Sequence, residues 1–194
     1  MLAWHHTPNS MPSPDRGDLF NEYSLKLTQL AHGLPSRFRP TVNRLIHHLP
    51  SLFLDDWPMV PNHTDLLENN IRVDPSSGRL VGICDWRDTE VSPFGMSLWD
   101  LETMLGISET RGWRYHTNQQ ILRDLFWEEF YKALRTELDE RIEISRLVGI
   151  LLQNGWQSND DGDLVPVSQE GNHNLNYLNA VVLGIQGTDI IWND

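Results

Sequence analysis

The sequence has a single cysteine, Cys84, and only two lysines, Lys26 and Lys132, among its 194 residues. One cysteine cannot form an intramolecular disulfide, and it cannot supply a cysteine-based zinc site. No stretch approaches the roughly 18 consecutive apolar residues of a membrane span, and no apolar run follows a basic N-terminal region. We therefore expect a cytoplasmic protein with no membrane partner.

Basic side chains are also scarce, since 15 Lys and Arg stand against 27 Asp and Glu, a formal net charge of -12 at pH 7. A nucleic-acid backbone repels such a surface, so no nucleic-acid partner is expected. The same surface tolerates or attracts cationic small molecules. The eight tryptophans are typical of core and interface anchors. An alternative places one or two of them in an aromatic pocket for a cationic or hydrophobic small-molecule substrate.

The most informative stretch runs from residue 61 to residue 86. It contains the pattern His-x-Asp-x-x-x-x-Asn (His63, Asp65 and Asn70), a short apolar strand, a turn, a second strand and an Asp-Trp pair that begins at Asp85. Phosphoryl transfer uses a carboxylate that accepts a hydroxyl proton, and an Asn and an Asp that hold Mg²⁺ on the nucleotide phosphates. In this order, Asp65 is the candidate base, His63 is a second candidate catalytic residue, and Asn70 and Asp85 are the candidate metal ligands.

This pattern resembles the catalytic loop and metal-binding strand of aminoglycoside phosphotransferase-like (choline-kinase-like) small-molecule kinases. That family typically shows His-Gly-Asp-Leu-x-x-x-Asn-(Ile/Val)-Leu-Val-Asp, followed by Gly-x-Ile-Asp-Trp. The matching residues here are His63, Asp65, Leu66, Asn70, Ile71, Val73, Asp74, Gly82, Asp85 and Trp86. Thr64 replaces the usual glycine, and Cys84 replaces the usual apolar residue. Residues 87–95 resemble the segment that follows in many fungal members, and no resemblance is found upstream of Pro61.

The resemblance implies a mainly helical α+β fold of the protein-kinase type, with a small β-hairpin that carries the catalytic loop and the metal-binding Asp. It also implies Mg²⁺ and ATP as cofactors and a small-molecule hydroxyl as acceptor. Before residue 63 the only lysine is Lys26 and the only glycines are Gly17 and Gly33, so no glycine-rich lid is predicted. We expect the C-terminal lobe alone, without an N-terminal nucleotide lid, as one domain over residues 1–194.

Three functions stay open at this point. In the first, the chain is a phosphotransferase whose lid is shortened, lost from the gene prediction or supplied by a partner. In the second, it is an Mg²⁺-dependent or acid/base enzyme of secondary metabolism, such as a lyase or cyclase, that uses Asp65 and His63. In the third, it is a non-catalytic, pseudokinase-like binding protein. An apolar surface left by an absent lobe predicts self-association into a homo-oligomer.

Hydrophobic periodicity and turn signals predict the remaining elements. Residues 1–18 are expected to be flexible. The predicted strands are Met59–Val60, Asn70–Asp74 and Arg79–Asp85, with the turn Asp74–Gly78 between the last two. The predicted helices are Asp18–Gly33, with Asp18 as N-cap, then Pro40–Pro50, Ser97–Leu105, an amphipathic helix from Asn118, one from Glu140, and one over Leu175–Ile191. The chain beyond Asp85 is expected to be mostly helical, with Gly106 and Gly112 as interruptions, a polar, Gly- and Asp-rich stretch over residues 154–168, and a plain turn at residues 158–163.

Overall fold

The computed structural model describes residues 14–87, 89–109, 112–135 and 139–184. The described helices are α1 (Arg16–Gly33), α2 (Arg39–His48), α3 (Asp100–Met104), α4 (Gln119–Leu134), α5 (Glu140–Asn154) and α6 (His173–Leu183). The described strands are β1 (Met59–Asn62), β2 (Ile71–Val73), β3 (Leu80–Ile83), β4 (Glu90–Pro93), β5 (Gly106–Glu109), β6 (Gly112–Tyr115), β7 (Trp156–Ser158) and β8 (Leu164–Pro166). Antiparallel pairing joins β1 to β4, β2 to β3, β5 to β6 and β7 to β8. The fold is α+β and mainly helical, as predicted.

Helix α5 lies at the centre of the core. Nine of its 15 residues are buried, which is the pattern of a helix covered on nearly every side. Helices α1, α2 and α6 pack around it, and a short 3-10 helix at Met96–Trp99 lies against it. Among the described residues, no helix combines the length and apolar character needed to cross a membrane. The compartment predicted from the sequence stays a prediction.

Helix α1 begins earlier than predicted, because Asp15 rather than Asp18 is its N-cap. The Asp15 carboxylate accepts the backbone N–H groups of Gly17 and Asp18. Asp18 therefore lies inside the first turn, where its negative charge favours the helix dipole. Residues 16–18 are thus helical rather than part of a flexible start, and residues 1–13 lie outside the described residues.

The strands after residue 85 correct the expectation of a mostly helical second half. Strand β4 pairs with β1, which lies about 30 residues earlier, and Asn62 faces Glu90 at the end of this pair. Gly106 and Gly112 begin the two strands of a hairpin, and an added Cβ at Gly106 would come within 2.7 Å of the Trp113 indole nitrogen. The polar stretch over residues 154–168 contains the β7–β8 hairpin, and the turn predicted at residues 158–163 joins its two strands. These strands are three or four residues long, which is too short for a recognisable alternation of apolar and polar residues.

Helix α4 is confirmed from Gln119, directly after Asn118, but its apolar residues do not form a buried face. No residue of this described helix is buried. Its most exposed apolar side chains are Ile121, Leu122 and Leu125, at 64, 41 and 52%. The helix is held instead by aromatic contacts, including the Phe130 ring stacked on Phe94 with centroids 6.1 Å apart. Residues 185–194, which include the end of the predicted last helix, lie outside the described residues.

A buried carboxylate ties α3 to two other helices. Glu102 is 5% exposed, and its carboxylate oxygens lie 2.8 Å from Arg123 on α4 and 3.5 Å from Arg146 on α5. The hydroxyl of Tyr115 donates to the same carboxylate at 3.0 Å. A buried charge is tolerated only with such compensation. The cluster therefore holds α3 in place, and with it the neighbouring Asp100.

We predict that Gly149→Ala destabilises the fold. A Cβ at this position on α5 would clash with the carbonyl oxygen of Met96, and forcing the two segments apart costs roughly 1–3 kcal/mol. Helix propensity alone would favour alanine by about 1 kcal/mol. Urea unfolding shows whether the clash or the helix propensity determines the stability of the variant. Gly82→Ala is the control, because an added Cβ there meets nothing within 4 Å. A Gly149→Ala protein as stable as wild type would contradict the close approach of α5 to residue 96.

Candidate active site

His63 lies at the centre of the predicted site, and both of its ring nitrogens are bound to backbone atoms. Its Nδ1 accepts the N–H of Asp65 at 3.1 Å, and its Nε2 lies 2.8 Å from the carbonyl oxygen of Cys84. Because Nδ1 accepts, Nε2 must carry the proton and donate it to Cys84. The imidazole, 5% exposed, is therefore held as the neutral Nε2–H tautomer.

Asn70 completes a closed chain of hydrogen bonds with these residues. The N–H of Cys84 donates to the carbonyl oxygen of Asn70 at 2.8 Å. The Asn70 side-chain amide in turn donates to the backbone oxygen of Asp65 at 2.8 Å and to its carboxylate Oδ2 at 3.3 Å. We call the closed chain through Asp65, His63, Cys84 and Asn70 the loop circuit. It joins the predicted catalytic residues to the end of β3, just before Asp85.

Asp85 follows the circuit in an unusual backbone conformation. Its φ of 60° is in the left-handed region, which costs a residue other than glycine roughly 1 kcal/mol and is best tolerated by Asn and Asp. Both backbone groups of the preceding Cys84 are engaged by the circuit, so the chain has to turn sharply at Asp85. The side chain is exposed, as a ligand for an ion arriving with its substrate requires.

Trp86 covers the circuit on one side. Its indole N–H donates to the carbonyl oxygen of Ile83 at 2.9 Å. The indole meets the His63 imidazole edge to face, with ring centroids 5.0 Å apart. The Asp-Trp pair of the sequence pattern is thus explained by two different roles, because Asp85 faces solvent and Trp86 shields the histidine.

Strands β1 and β4 pair directly before His63, and the side chain of Asn62 joins them by hydrogen bonds. The Asn62 amide group donates to Ser92 Oγ at 2.8 Å and to two carbonyl oxygens of β4. Its Oδ1 accepts from the backbone and the hydroxyl of Ser97. Asn62 is 6% exposed, so these bonds are protected from water. Sequence reasoning missed this residue because its partners lie about 30 residues away.

Asp100 is a second residue that the sequence reasoning missed. Its side chain is fully buried, and among the described residues neither carboxyl oxygen has a hydrogen-bond partner of ordinary geometry. Burial raises the pKa of Asp100 to about 8; the backbone N–H of Leu66 opposes this increase, and the charge of Asp65 adds to it. The Asp100 carboxyl is therefore largely protonated at neutral pH and lies beneath the catalytic loop.

Asn70 and Asp85 fit Mg²⁺ only as two protein ligands of an ion that takes its other ligands from water and phosphate. Across the part of the chain that the structure describes, no group of three or more His, Cys, Asp or Glu side chains is arranged to hold a metal. Asn70 uses its amide nitrogen in the circuit, which leaves its amide oxygen for a ligand, and Asp85 adds a carboxylate. Mg²⁺ typically takes one or two protein ligands and fills its octahedron with water and substrate phosphates. The donor set suits an ion that is carried by a nucleotide.

Comparison with known proteins adds one finding. A family model described as the phosphotransferase enzyme family matches residues 2–134. The matched range covers more than half of the chain and includes the loop circuit, the β2–β3 hairpin and helices α1 to α4. It begins far upstream of Pro61, so the motif-based resemblance underestimated its extent. No curated protein and no solved structure matches the chain.

We predict that Asp100→Asn removes a pH-dependent part of the stability. The folded-state pKa of Asp100 is raised, so its contribution is fully present below the unfolded-state value, about 3.9, and is lost as the pH rises toward about 8. Between these values wild type should lose up to about 1.4 kcal/mol per pH unit relative to Asp100→Asn, which does not titrate. Urea unfolding from pH 5 to pH 8.5 measures this, with the exposed Asp161→Asn as control. The same dependence of the free energy of unfolding on pH in wild type and Asp100→Asn would disprove this prediction.

Proposed function

The chain belongs to the phosphotransferase enzyme family, and on that basis we propose that it transfers a phosphoryl group from ATP to a hydroxyl of a small molecule. The observation that carries the proposal is the loop circuit, which joins the solvent-facing Asp65 to one metal-ligand candidate, Asn70, and ends directly before the other, Asp85. The finer identification, as a fungal-type member that corresponds to the C-terminal lobe of such kinases, is part of the same proposal.

Asp65 is the proposed catalytic base. Its side chain is exposed, so an acceptor hydroxyl can reach it. The Asn70 amide holds Oδ2 at 3.3 Å, which orients the carboxylate and leaves Oδ1 free to accept the hydroxyl proton. A general base has to lie within hydrogen-bond reach of the proton that it removes. Asp65 meets this requirement for any acceptor that binds in front of the loop.

His63 is proposed as a positioning residue rather than a proton carrier. Both ring nitrogens are already used, one by Asp65 and one by Cys84. Proton transfer by the imidazole would require one of these backbone bonds to break. The catalytic role predicted for His63 from the sequence is therefore better explained as holding Asp65 and the end of β3 in register. The same occupancy argues against a lyase or cyclase that uses His63 as its acid or base.

Asn70 and Asp85 are the proposed ligands of a nucleotide-bound Mg²⁺. The ion, when bound, would neutralise charge on the transferred phosphate. The hairpin keeps these two residues near each other, because Ile71 pairs with Ile83 and the N–H of Cys84 reaches Asn70. In such a reaction positioning and charge stabilisation provide most of the acceleration. The rigidity of the circuit is therefore the main contribution of the described residues.

Neither of the two lysines, both of which lie in described helices, is a free cation for the α- and β-phosphates. Lys26 and Lys132 each pair with a glutamate on their own helix, at 2.6 and 2.9 Å. The hairpin also exposes three apolar side chains, Val73, Leu80 and Val81, at 54, 61 and 67%. Apolar exposure of this kind indicates a surface that something else covers. We propose that a lid segment or a partner rests on the hairpin and completes the nucleotide site.

Titration with Mg·ATP tests the nucleotide part of the proposal. We expect calorimetric binding to wild type and to Asp161→Asn, and at least tenfold weaker binding to Asp85→Asn, because the variant loses a charged metal ligand. Asp65→Asn should retain binding and thermal stability but lower the rate of transfer to an acceptor by about 10²–10⁴-fold, followed by ³¹P NMR. Equal and negligible Mg·ATP binding by all proteins would refute ATP-dependent transfer by this chain without a lid or partner, and would favour a non-catalytic binding protein.

Self-association through the exposed hairpin is a further prediction. Light scattering should show a dimer or larger species for wild type, because association removes the apolar hairpin surface from water. Val81→Asp should shift the protein toward monomer. The equivalent change at Leu164, which is 69% exposed in another hairpin, should not. A wild-type protein that is a single monomeric species at all concentrations would contradict the prediction.

A further inference from the structure

A cavity of about 500 Å³ lies next to His63, on the side of α1 and α5. Its walls come from α1, β4, the 3-10 helix at Met96–Trp99 and α5, with His63 and Thr64 forming the side toward the loop circuit. Asp65, Asn70 and Asp85 do not line it. A molecule in this cavity would thus touch the histidine without contacting the carboxylate proposed as the base. A volume of this size suits a small organic ligand.

One part of the cavity is acidic. Glu22, Glu90 and Lys26 all line it. The ammonium of Lys26 is 2.6 Å from Glu22, so these two charges offset each other. Glu90 has no ion-pair partner among the described residues. The cavity therefore carries an uncompensated carboxylate, in a protein whose net charge is already -12, and it favours a cation.

The buried Tyr23 lines the same cavity. Burial raises the pKa of Tyr23 to about 12, a hydrogen bond with Ser92 opposes this increase, and the charges of Glu90 and Glu22 add to it. The phenol is consequently neutral near pH 7. Tyr23 is only 5% exposed and its ring packs edge to face on Phe53, so Glu90 is the group that favours a cation in the cavity.

The rest of the lining is apolar. The apolar lining residues are Leu19, Val91, Met96, Trp99 and Leu152. Gly149 also lines the cavity, at the point where α5 passes close to residue 96. Val91, Met96 and Trp99 are each 7% exposed, so they are fixed parts of the core. A fully polar cation would leave this surface in contact with water. A ligand with an apolar or aromatic body would cover it.

We propose that this cavity binds a small organic ammonium compound with an aromatic or apolar body, as a second ligand distinct from the phosphoryl acceptor. The ammonium lies against Glu90, and the body lies on the apolar wall. The proposal does not rest on phosphoryl transfer.

Tryptamine is the probe for this site, and indole-3-propionate is its matched control with the opposite charge. Calorimetry near pH 7 should show tryptamine binding to wild type with a Kd on the order of 0.1–1 mM, and no binding of indole-3-propionate. Glu90→Gln should weaken tryptamine binding by roughly threefold to fivefold, the upper part of the range for a single exposed charge contact. Glu128→Gln, the same change on the exposed face of α4, should not alter it.

Two further variants keep the outcome decisive. Leu152→Trp fills the cavity without changing its charge and should abolish tryptamine binding while the circular dichroism spectrum and melting temperature stay near those of wild type. Asp65→Asn should leave tryptamine binding within about twofold, since Asp65 does not line the cavity. The proposal is overturned if neither probe binds, if both probes bind equally, or if Glu90→Gln and Glu128→Gln behave alike. A larger loss of binding in Asp65→Asn would overturn the separation from the acceptor site.

Discussion

The structure around the site depends on one buried imidazole that bridges two backbone groups. His63 accepts from the N–H of Asp65 and donates to the carbonyl of Cys84, so a single side chain joins the loop before β2 to the end of β3. In a site closed to water, an unpaired backbone group costs roughly 1–3 kcal/mol. Removal of any member would leave at least one such group unsatisfied. The circuit therefore forms as a unit, and this explains how an exposed Asp65 can still be held in a fixed orientation.

Acidic groups surround this imidazole, and their different environments give them different states. Asp65 and Asp85 face solvent. Asp100 lies buried beneath the loop, where burial favours the protonated form. The loop thus avoids a third full negative charge without losing the carboxyl that fills the space under it. A cation brought by a nucleotide would meet one exposed acidic ligand candidate, Asp85, together with the amide of Asn70, in the proposed phosphotransferase chemistry.

The hairpin and the cavity place different demands on the surface of the molecule. The hairpin exposes Val73, Leu80 and Val81 close to the metal-ligand candidates, and this surface calls for a cover. The cavity on the other side of His63 has an apolar wall and Glu90, which has no ion-pair partner among the described residues. This combination favours a small cation. Both features touch the loop circuit, one through Asn70 and one through His63. Whatever binds at either place acts on the same set of hydrogen bonds.

Sequence alone determined the features that depend on neighbouring residues. The turn at Asp74–Gly78 joins two strands within a few residues, so the β2–β3 hairpin and the positions of Asn70 and Asp85 on it were predictable, and helical spacing correctly predicted α5. Only the tertiary structure decided the features whose partners lie far away. These are the pairing of β1 with β4 through Asn62, the burial of Asp100 under the loop, and the exposure of the apolar residues of α4. The physical reason is that the pattern of apolar and polar residues indicates which face of a segment is suited to burial. Which other segment packs on that face depends on the packing of the whole chain.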